Sequence, residues 1–206
     1  MIIAILGTGH MGRTLGAGLV RAGHEVVFGS RTPQAAADLP GEVLGHADAI
    51  ARGDIVLNAL AAARTLDVLP ALAGPLAGKV LIDIGNAVDE RMDLIHPDSS
   101  LGERLQRALP ESRVVKTLNT VGGPVGAQPE LLPAATNVFL SGDDAEAKAL
   151  VAGLLADLGW ASEDQIDLGD ITTARAAEHY FLLFAALMRS LGTPAFNITI
   201  VRGDAR

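Results

Sequence analysis

The amino-acid sequence predicts an α/β fold: a doubly wound, mostly parallel sheet with a small helical element at the C-terminal end. Three observations predict it. Apolar runs of strand length alternate with segments of helical period, as expected for parallel strands covered by helices on both faces. The first run passes straight into GTGHMG, a glycine-rich turn that opens a helix. The bulk also fits, since 206 residues of which 49% are hydrophobic, with a mean hydropathy of +0.33, suffice for one sizeable core.

IIAIL (residues 2–6), EVVF (25–28), DIVLNAL (54–60) and KVLIDI (79–84) read as the first strands, with RVVKTL (113–118) and NVFLSG (137–142) as later ones. Helices are expected over about residues 11–21 and 64–73. The strongest helical signal is DDAEAKALVAGLLADLG, in which Ala147, Leu150, Val151, Leu154, Leu155 and Leu158 recur at helical spacing. Acids crowd its first turn and Gly159 can close its end. Turn residues concentrate over 87–110 and 122–133, which are expected as loops near a site.

After Gly159 the pattern changes. A short strand-like stretch, WASEDQIDLG, precedes Asp170 or Thr172, either of which can cap a long helix ending near Leu191. Ala177, Phe181, Phe184, Met188 and Leu191 form one stripe of it, while Leu182, Leu183 and Leu187 occupy other faces. Such a helix needs cover on two sides. A partner subunit could supply it, which predicts a homodimer; burial within one subunit is the alternative. The expected division is a nucleotide-binding domain over 1–160 and a C-terminal helix and tail over 161–206, serving the dimer or the substrate site.

A net charge of −8 argues against nucleic acid or an anionic membrane as partner. There are no cysteines, so disulfides, thiolate nucleophiles and cysteine zinc sites are absent. MIIAIL lacks a basic leader and a full apolar core, and FLLFAALM is too short to span a bilayer, so a cytoplasmic protein is expected.

Gly7, Thr8, Gly9, His10, Met11 and Gly12 spell GxGxxG between a strand and a helix. In this Rossmann-type arrangement the first glycine permits the turn, the second lets a pyrophosphate approach the backbone, and the third brings helix and strand together. Free N–H groups at the helix start then receive the anion.

About 20 residues on, such folds place an Asp or Glu to select the adenosine ribose of NAD. Here Gly29, Ser30, Arg31 and Thr32 stand instead. A 2′-phosphate can accept hydrogen bonds from the two hydroxyls and pair with Arg31. One charge-assisted hydrogen bond contributes about 1.5–3 kcal/mol, enough to separate the cofactors by roughly 10- to 100-fold. The residues therefore predict NADP(H). In a plainer reading, Ser30 and Thr32 cap a helix starting at Pro33, which is compatible with phosphate binding.

No residue offers itself as a proton donor beside a hydride acceptor. Lys79 and Lys116 belong to strands, Lys148 is expected on an exposed helix face, and Tyr180 has no lysine following it at helical spacing. His24 fits a turn, His46 and His96 fall in expected loops, and His179 reads as an ordinary helix position. Neither a catalytic side chain nor a metal site is predicted. Hydride exchange between two ring cofactors would need stacking and orientation more than acid–base groups. The strand ends expected to face the ligand, residues 59–62, 85–88 and 119–123, carry small, apolar or amide side chains suited to a flat ring.

The chain resembles the deazaflavin-dependent NADP oxidoreductases, also called NADPH-dependent F-420 reductases. The resemblance rests on ILGTGHMG, GHEVVFGSRTP, DIVLNAL, KVLIDIGNAV, VVKTLNTVGG, FLSGDDAEAK and GTPAFNITIVR, and it covers nearly the whole length. It implies a homodimer-prone domain that exchanges hydride between NADP(H) and the deazaflavin coenzyme F-420. Thr8, Gly9, His10 and Met11 would meet the pyrophosphate, and Ser30 and Arg31 the 2′-phosphate. Leu60, Ala61 and Asn86 would line the nicotinamide side, with Val121 against the ring and the Gly123 backbone at the carboxamide. Asn119 stands where some relatives have His, and Ala61–Ala62 replace bulkier residues; both changes face the second substrate. Similar domains occur in membrane metalloreductases. The alternatives are NADPH-dependent reduction of a flavin, a ferric chelate or a small imine or carbonyl, or a non-catalytic NADP(H)-binding redox sensor.

Overall fold

The computed structural model describes residues 1–35 and 38–203. In chain order, β1 (Ile2–Leu6) leads through the glycine turn to α1 (His10–Arg21), followed by β2 (Glu25–Ser30), β3 (Glu42–Gly45) and α2 (His46–Arg52). Next come β4 (Ile55–Asn58), α3 (Ala62–Val68), α4 (Ala73–Leu76), β5 (Val80–Asp83), α5 (Leu101–Ala108) and β6 (Arg113–Lys116). The chain closes with α6 (Gly123–Ala127), β7 (Val138–Leu140), α7 (Ala145–Asp157), β8 (Gln165–Asp167) and α8 (Ala174–Leu191).

Six strands form one parallel sheet in the order β3-β2-β1-β4-β5-β6, and β7 and β8 form a separate parallel pair. The chain starts at β1 and winds outward in both directions, so the switch point of a Rossmann fold lies between β1 and β4. The register sets Gly29, Leu6, Asn58, Asp83 and Lys116 in one row across the carboxyl ends of five strands.

Period-2 alternation divides the core between the two faces. Ile3, Ile5, Phe28, Leu57 and Ile82 pack with Leu15 and Leu19 of α1 and Val151, Leu154 and Leu155 of α7. Ala4, Leu6, Val27, Val56 and Leu81 pack with Ile50 of α2 and Leu101 and Leu105 of α5. Both faces are therefore dry, as the unbroken apolar strands require.

Several expectations need correction. β3 and α2 carry no clear signal, since EVLG is a four-residue edge strand and only Ala49 and Ile50 of α2 are buried. The stretch 87–110 is not all loop, because α5 occupies its end. Ser100 caps it by accepting a hydrogen bond from the Glu103 N–H at 3.0 Å while its hydroxyl donates to the Glu103 carboxylate. The loop 122–133 contains α6 and a 3-10 turn at Pro129–Leu131. The helix over 64–73 is broken at Pro70 into α3, a 3-10 turn (Leu69–Leu72) and α4. Strand 137–142 leaves the main sheet, touching β6 only through an antiparallel bridge between Lys116 and Ser141.

The α7 expectation is met by an Asp144 cap, with Gly159 at φ +103° just beyond its end, although Leu150 is exposed. Lys148 is not free on an exposed face; its ammonium lies 2.8 Å from Asp167 and donates to the Gly169 carbonyl. Asp170 caps a 3-10 turn (Ile171–Thr173) that feeds α8. Past α8 the tail folds back on its own chain: the Asn137 N–H donates to the Ile198 carbonyl, and the Phe196 ring stacks on Phe184 at 4.9 Å. Among the described residues, no helix is long and apolar enough to cross a membrane.

Candidate functional site: two joined cavities at the strand ends

The glycine turn exists because no side chain fits there. Gly7 has φ +113°, and a Cβ on it would run into the Ala59 carbonyl at the end of β4. Gly12 packs on the Gly7 carbonyl, so α1 starts hard against β1. The Gly7 N–H donates to the Gly29 carbonyl at 3.0 Å and the Ala59 N–H to the Leu6 carbonyl at 2.9 Å, knitting β1, β2 and β4 together at the switch point. Space above Gly9 is open.

Two cavities meet at this point. The first, about 260 Å³, is lined by Gly7, Thr8 and Gly9, by Ser30, Arg31 and Thr32, and by Ala59, Leu60 and Ala61. Its polar edge comes from the segment after β2. The Ser30 hydroxyl accepts from the Thr32 N–H at 3.2 Å, ahead of a 3-10 turn (Pro33–Ala35) rather than an α-helix. Arg31 is exposed and pairs with no carboxylate among the described residues. His46, expected in a loop, opens α2 and lines this cavity. Burial, and then the charge of Arg31, push its imidazole below the ordinary histidine range.

The second cavity, about 430 Å³, continues from the first past Ala59 and Leu60. His10 and Met11 of α1, Asn86 after β5, and Asn119, Val121 and Gly123 after β6 line it, and α8 and the tail close it with Phe181, Phe184, Met188 and Pro194. Its size suits a ring ligand. The two asparagines hold each other: the Asn86 amide donates to the Asn119 carbonyl at 2.7 Å, and the Asn119 amide donates to Asn86 Oδ1 at 2.9 Å. Leu118, buried at φ +56°, turns the chain into this floor at a cost of about 1–3 kcal/mol.

The structure thus brings all the expected site residues to one edge of the sheet, with two refinements. Gly12 lines neither cavity and acts through packing alone. Ala61, expected beside Leu60 and Asn86, faces the first cavity rather than the second.

A charged network that the spacing did not reveal lies beneath. The Lys116 ammonium, fully buried, sits 2.8 Å from both Asp83 and Glu178 and donates to the Gly85 carbonyl. Glu178 reaches from α8 to accept the Leu101 and Gly102 N–H groups at 2.8 and 3.1 Å. Asn58 donates to Asp83 at 2.7 Å. Burial alone would push the Lys116 ammonium down, but the two carboxylates outweigh it and hold it above the ordinary lysine range. Only the register row could have signalled this, because it sets Asn58, Asp83 and Lys116 side by side. Among the described residues no group of three or more His, Asp or Glu could hold a metal ion.

Sheet order and glycine turn define a Rossmann-type, dinucleotide-binding class of protein. Comparison with known proteins narrows the class. The family described as NADP oxidoreductase, coenzyme F420-dependent, matches residues 2–87. A solved structure from Arthrobacter sp. FB24, carrying the provisional description of an F420-dependent NADP-reductase, is 42% identical with a TM-score of 0.89, covering 97% of this chain and 99% of that one. The chain belongs to this family. It is also 28% identical to the F420-dependent NADP reductase of Methanocaldococcus jannaschii, over 86% of this chain and 88% of that protein. Metalloreductase STEAP3 of Rattus norvegicus is 31% identical over 85% of this chain, which spans only 35% of that protein's length.

Proposed function

We propose that the protein is an NADP(H)-dependent oxidoreductase that moves hydride between NADPH and the deazaflavin coenzyme F420. The observation that carries this reading is the junction of two unlike cavities, one edged by Ser30, Arg31 and Thr32, the other apolar and floored by paired amides. The residues fit the dinucleotide: Gly7 and Gly12 leave the turn bare, the space above Gly9 is open, and among the described residues no carboxylate lines the first cavity.

When bound, the nicotinamide supplies the hydride-exchanging carbon. The chain binds and orients. Backbone N–H groups of Thr8, Gly9, His10 and Met11 would take the pyrophosphate, and Ser30, Arg31 and Thr32 the 2′-phosphate. Val121 would back the ring, the Gly123 N–H would meet its carboxamide, and Leu60, Asn86 and Asn119 would complete the wall. Phe181, Phe184 and Met188 would exclude water from the second ring. Among the described residues the lining holds no carboxylate or lysine, and His10 is its one titratable side chain; hydride exchange between stacked rings rests on orientation more than on acid–base groups.

The test is spectroscopic. Protein mixed with NADPH and oxidised F420 should bleach the deazaflavin band, with NADH far less effective; no turnover at any pH would refute the reading. A second reading, reduction of a flavin or a ferric chelate through flavin, is favoured by the likeness to the rat metalloreductase and by the small Ala62 beside Asn119 in the acceptor cleft. Faster turnover with flavin than with F420 in an acceptor screen would select it. We further propose a homodimer through α8, which turns Leu182, Leu183 and Leu191 outward.

A further inference from the structure

We propose that His46 is a third determinant of cofactor choice, its neutral ring donating to the phosphate on the adenosine 2′-position. The inference rests on the reading that the first cavity takes the phosphorylated adenosine.

Geometry places the ring. β2 and β3 run side by side, pairing Ser30 with Gly45, so the first residue of α2 emerges beside the Ser30–Arg31–Thr32 segment. Gly29 makes room for it: a Cβ there would come within 2.9 Å of His46 Nδ1 and 2.6 Å of Leu6 Cδ2. Nδ1 is therefore walled in, and it has no hydrogen-bond partner. The opposite edge of the ring, carrying Nε2, is the one left to meet the cavity it lines. A neutral ring with its proton on Nε2 is a donor, whereas an imidazolium would set a second N–H against a wall with no acceptor.

The charges around it agree. Burial first, and then the charge of Arg31, disfavour the imidazolium and keep the ring neutral. Within α2, Asp48 is exposed. Arg52, at the far end, is engaged by Glu25 of β2 and Glu42 of β3; β1 and α4, which also pack on α2, carry no ionisable side chain. A neutral donor adds a hydrogen bond to the phosphate without needing a second proton on the walled-in Nδ1.

The test is calorimetric titration of the full chain with NADP⁺ and with NAD⁺ for wild type, His46→Ala, His46→Gln and Arg31→Glu. His46→Ala should weaken NADP⁺ binding roughly tenfold and leave NAD⁺ unchanged. His46→Gln, which keeps an N–H donor, should restore much of this. Equal losses for both dinucleotides would overturn the role. Should Arg31→Glu abolish the preference while both His46 variants behave as wild type, this inference alone fails. Should wild type itself show no preference, the phosphate-site reading fails with it.

Discussion

At the scale of single residues, two choices of side chain carry the site. The first is negative: an acidic side chain is missing after β2, and Arg31 stands exposed at the cavity edge in its place. Arg31→Glu should raise the NADPH dissociation constant by roughly 10- to 100-fold and leave NADH nearly unchanged, read by fluorescence titration. The second is Lys116, whose ammonium neutralises two carboxylates beneath the cleft. Removing one member of a buried charged group costs about 3–5 kcal/mol, so Lys116→Met should lower the denaturant midpoint by that equivalent. The folded chain holds this ammonium above its unfolded value. Its contribution is therefore fully present below about pH 10 and is lost only as pH rises through the folded value. The destabilisation should be flat between pH 6 and 9 as far as this group is concerned; a lysine-dependent loss beginning near neutrality would contradict the assignment. Arg31 could be read from the sequence because it follows a strand at a fixed distance from the glycine turn. Glu178 could not, because its partners, Lys116 and the N–H groups of Leu101 and Gly102, lie 62 to 77 residues earlier in the chain.

Among the elements, legibility followed burial. β1, β2, β4, β5 and β6 are buried through their centres, so each appears in the sequence around a short apolar run, from IIAIL in β1 to the Val114–Val115 pair in β6. β3 pairs on one side only, and α2 and α5 bury few residues each, so their pattern is thin. The α5 start was nonetheless written in its capping sequence, Ser100 followed by Glu103. α8 raises a different question. Its inner face supplies Phe184, Ala185 and Glu178 to the chain's own interior, while Leu182, Leu183 and Leu191 are 42%, 54% and 57% exposed. One charge at the centre of that outer face should separate a dimer without touching the core. Leu183→Arg is expected to move the sedimentation coefficient from dimer to monomer while leaving the melting temperature of the monomer fold within a few degrees. A wild-type chain that sediments as a monomer would remove the basis for an α8 interface.

For the whole molecule, the sheet order does what no single motif can: it gathers loops from β1, β2, β4, β5 and β6 along one edge, with α8 laid across the far end. The cavity edged by Ser30, Arg31 and Thr32 and the apolar cavity beside it are thereby built on one sheet. The sequence announced both cavities, through GTGHMG with GSRT and through LNTVGG, because backbone-built sites must be written in glycine and small residues. It left unannounced the closure of the cleft by Phe181, Phe184, Met188 and Pro194, since a helical stripe looks the same whether it faces a core or a ligand. Among the described residues the cleft lining carries no carboxylate or lysine, and the proposed direct hydride exchange calls for none. The most direct measurement is therefore an isotope transfer: protein, F420 and NADPH carrying deuterium at the nicotinamide C4 position, turned over in ordinary water. Recovery of the deuterium on the reduced deazaflavin is predicted. Its appearance in solvent, with an unlabelled product, would contradict the account.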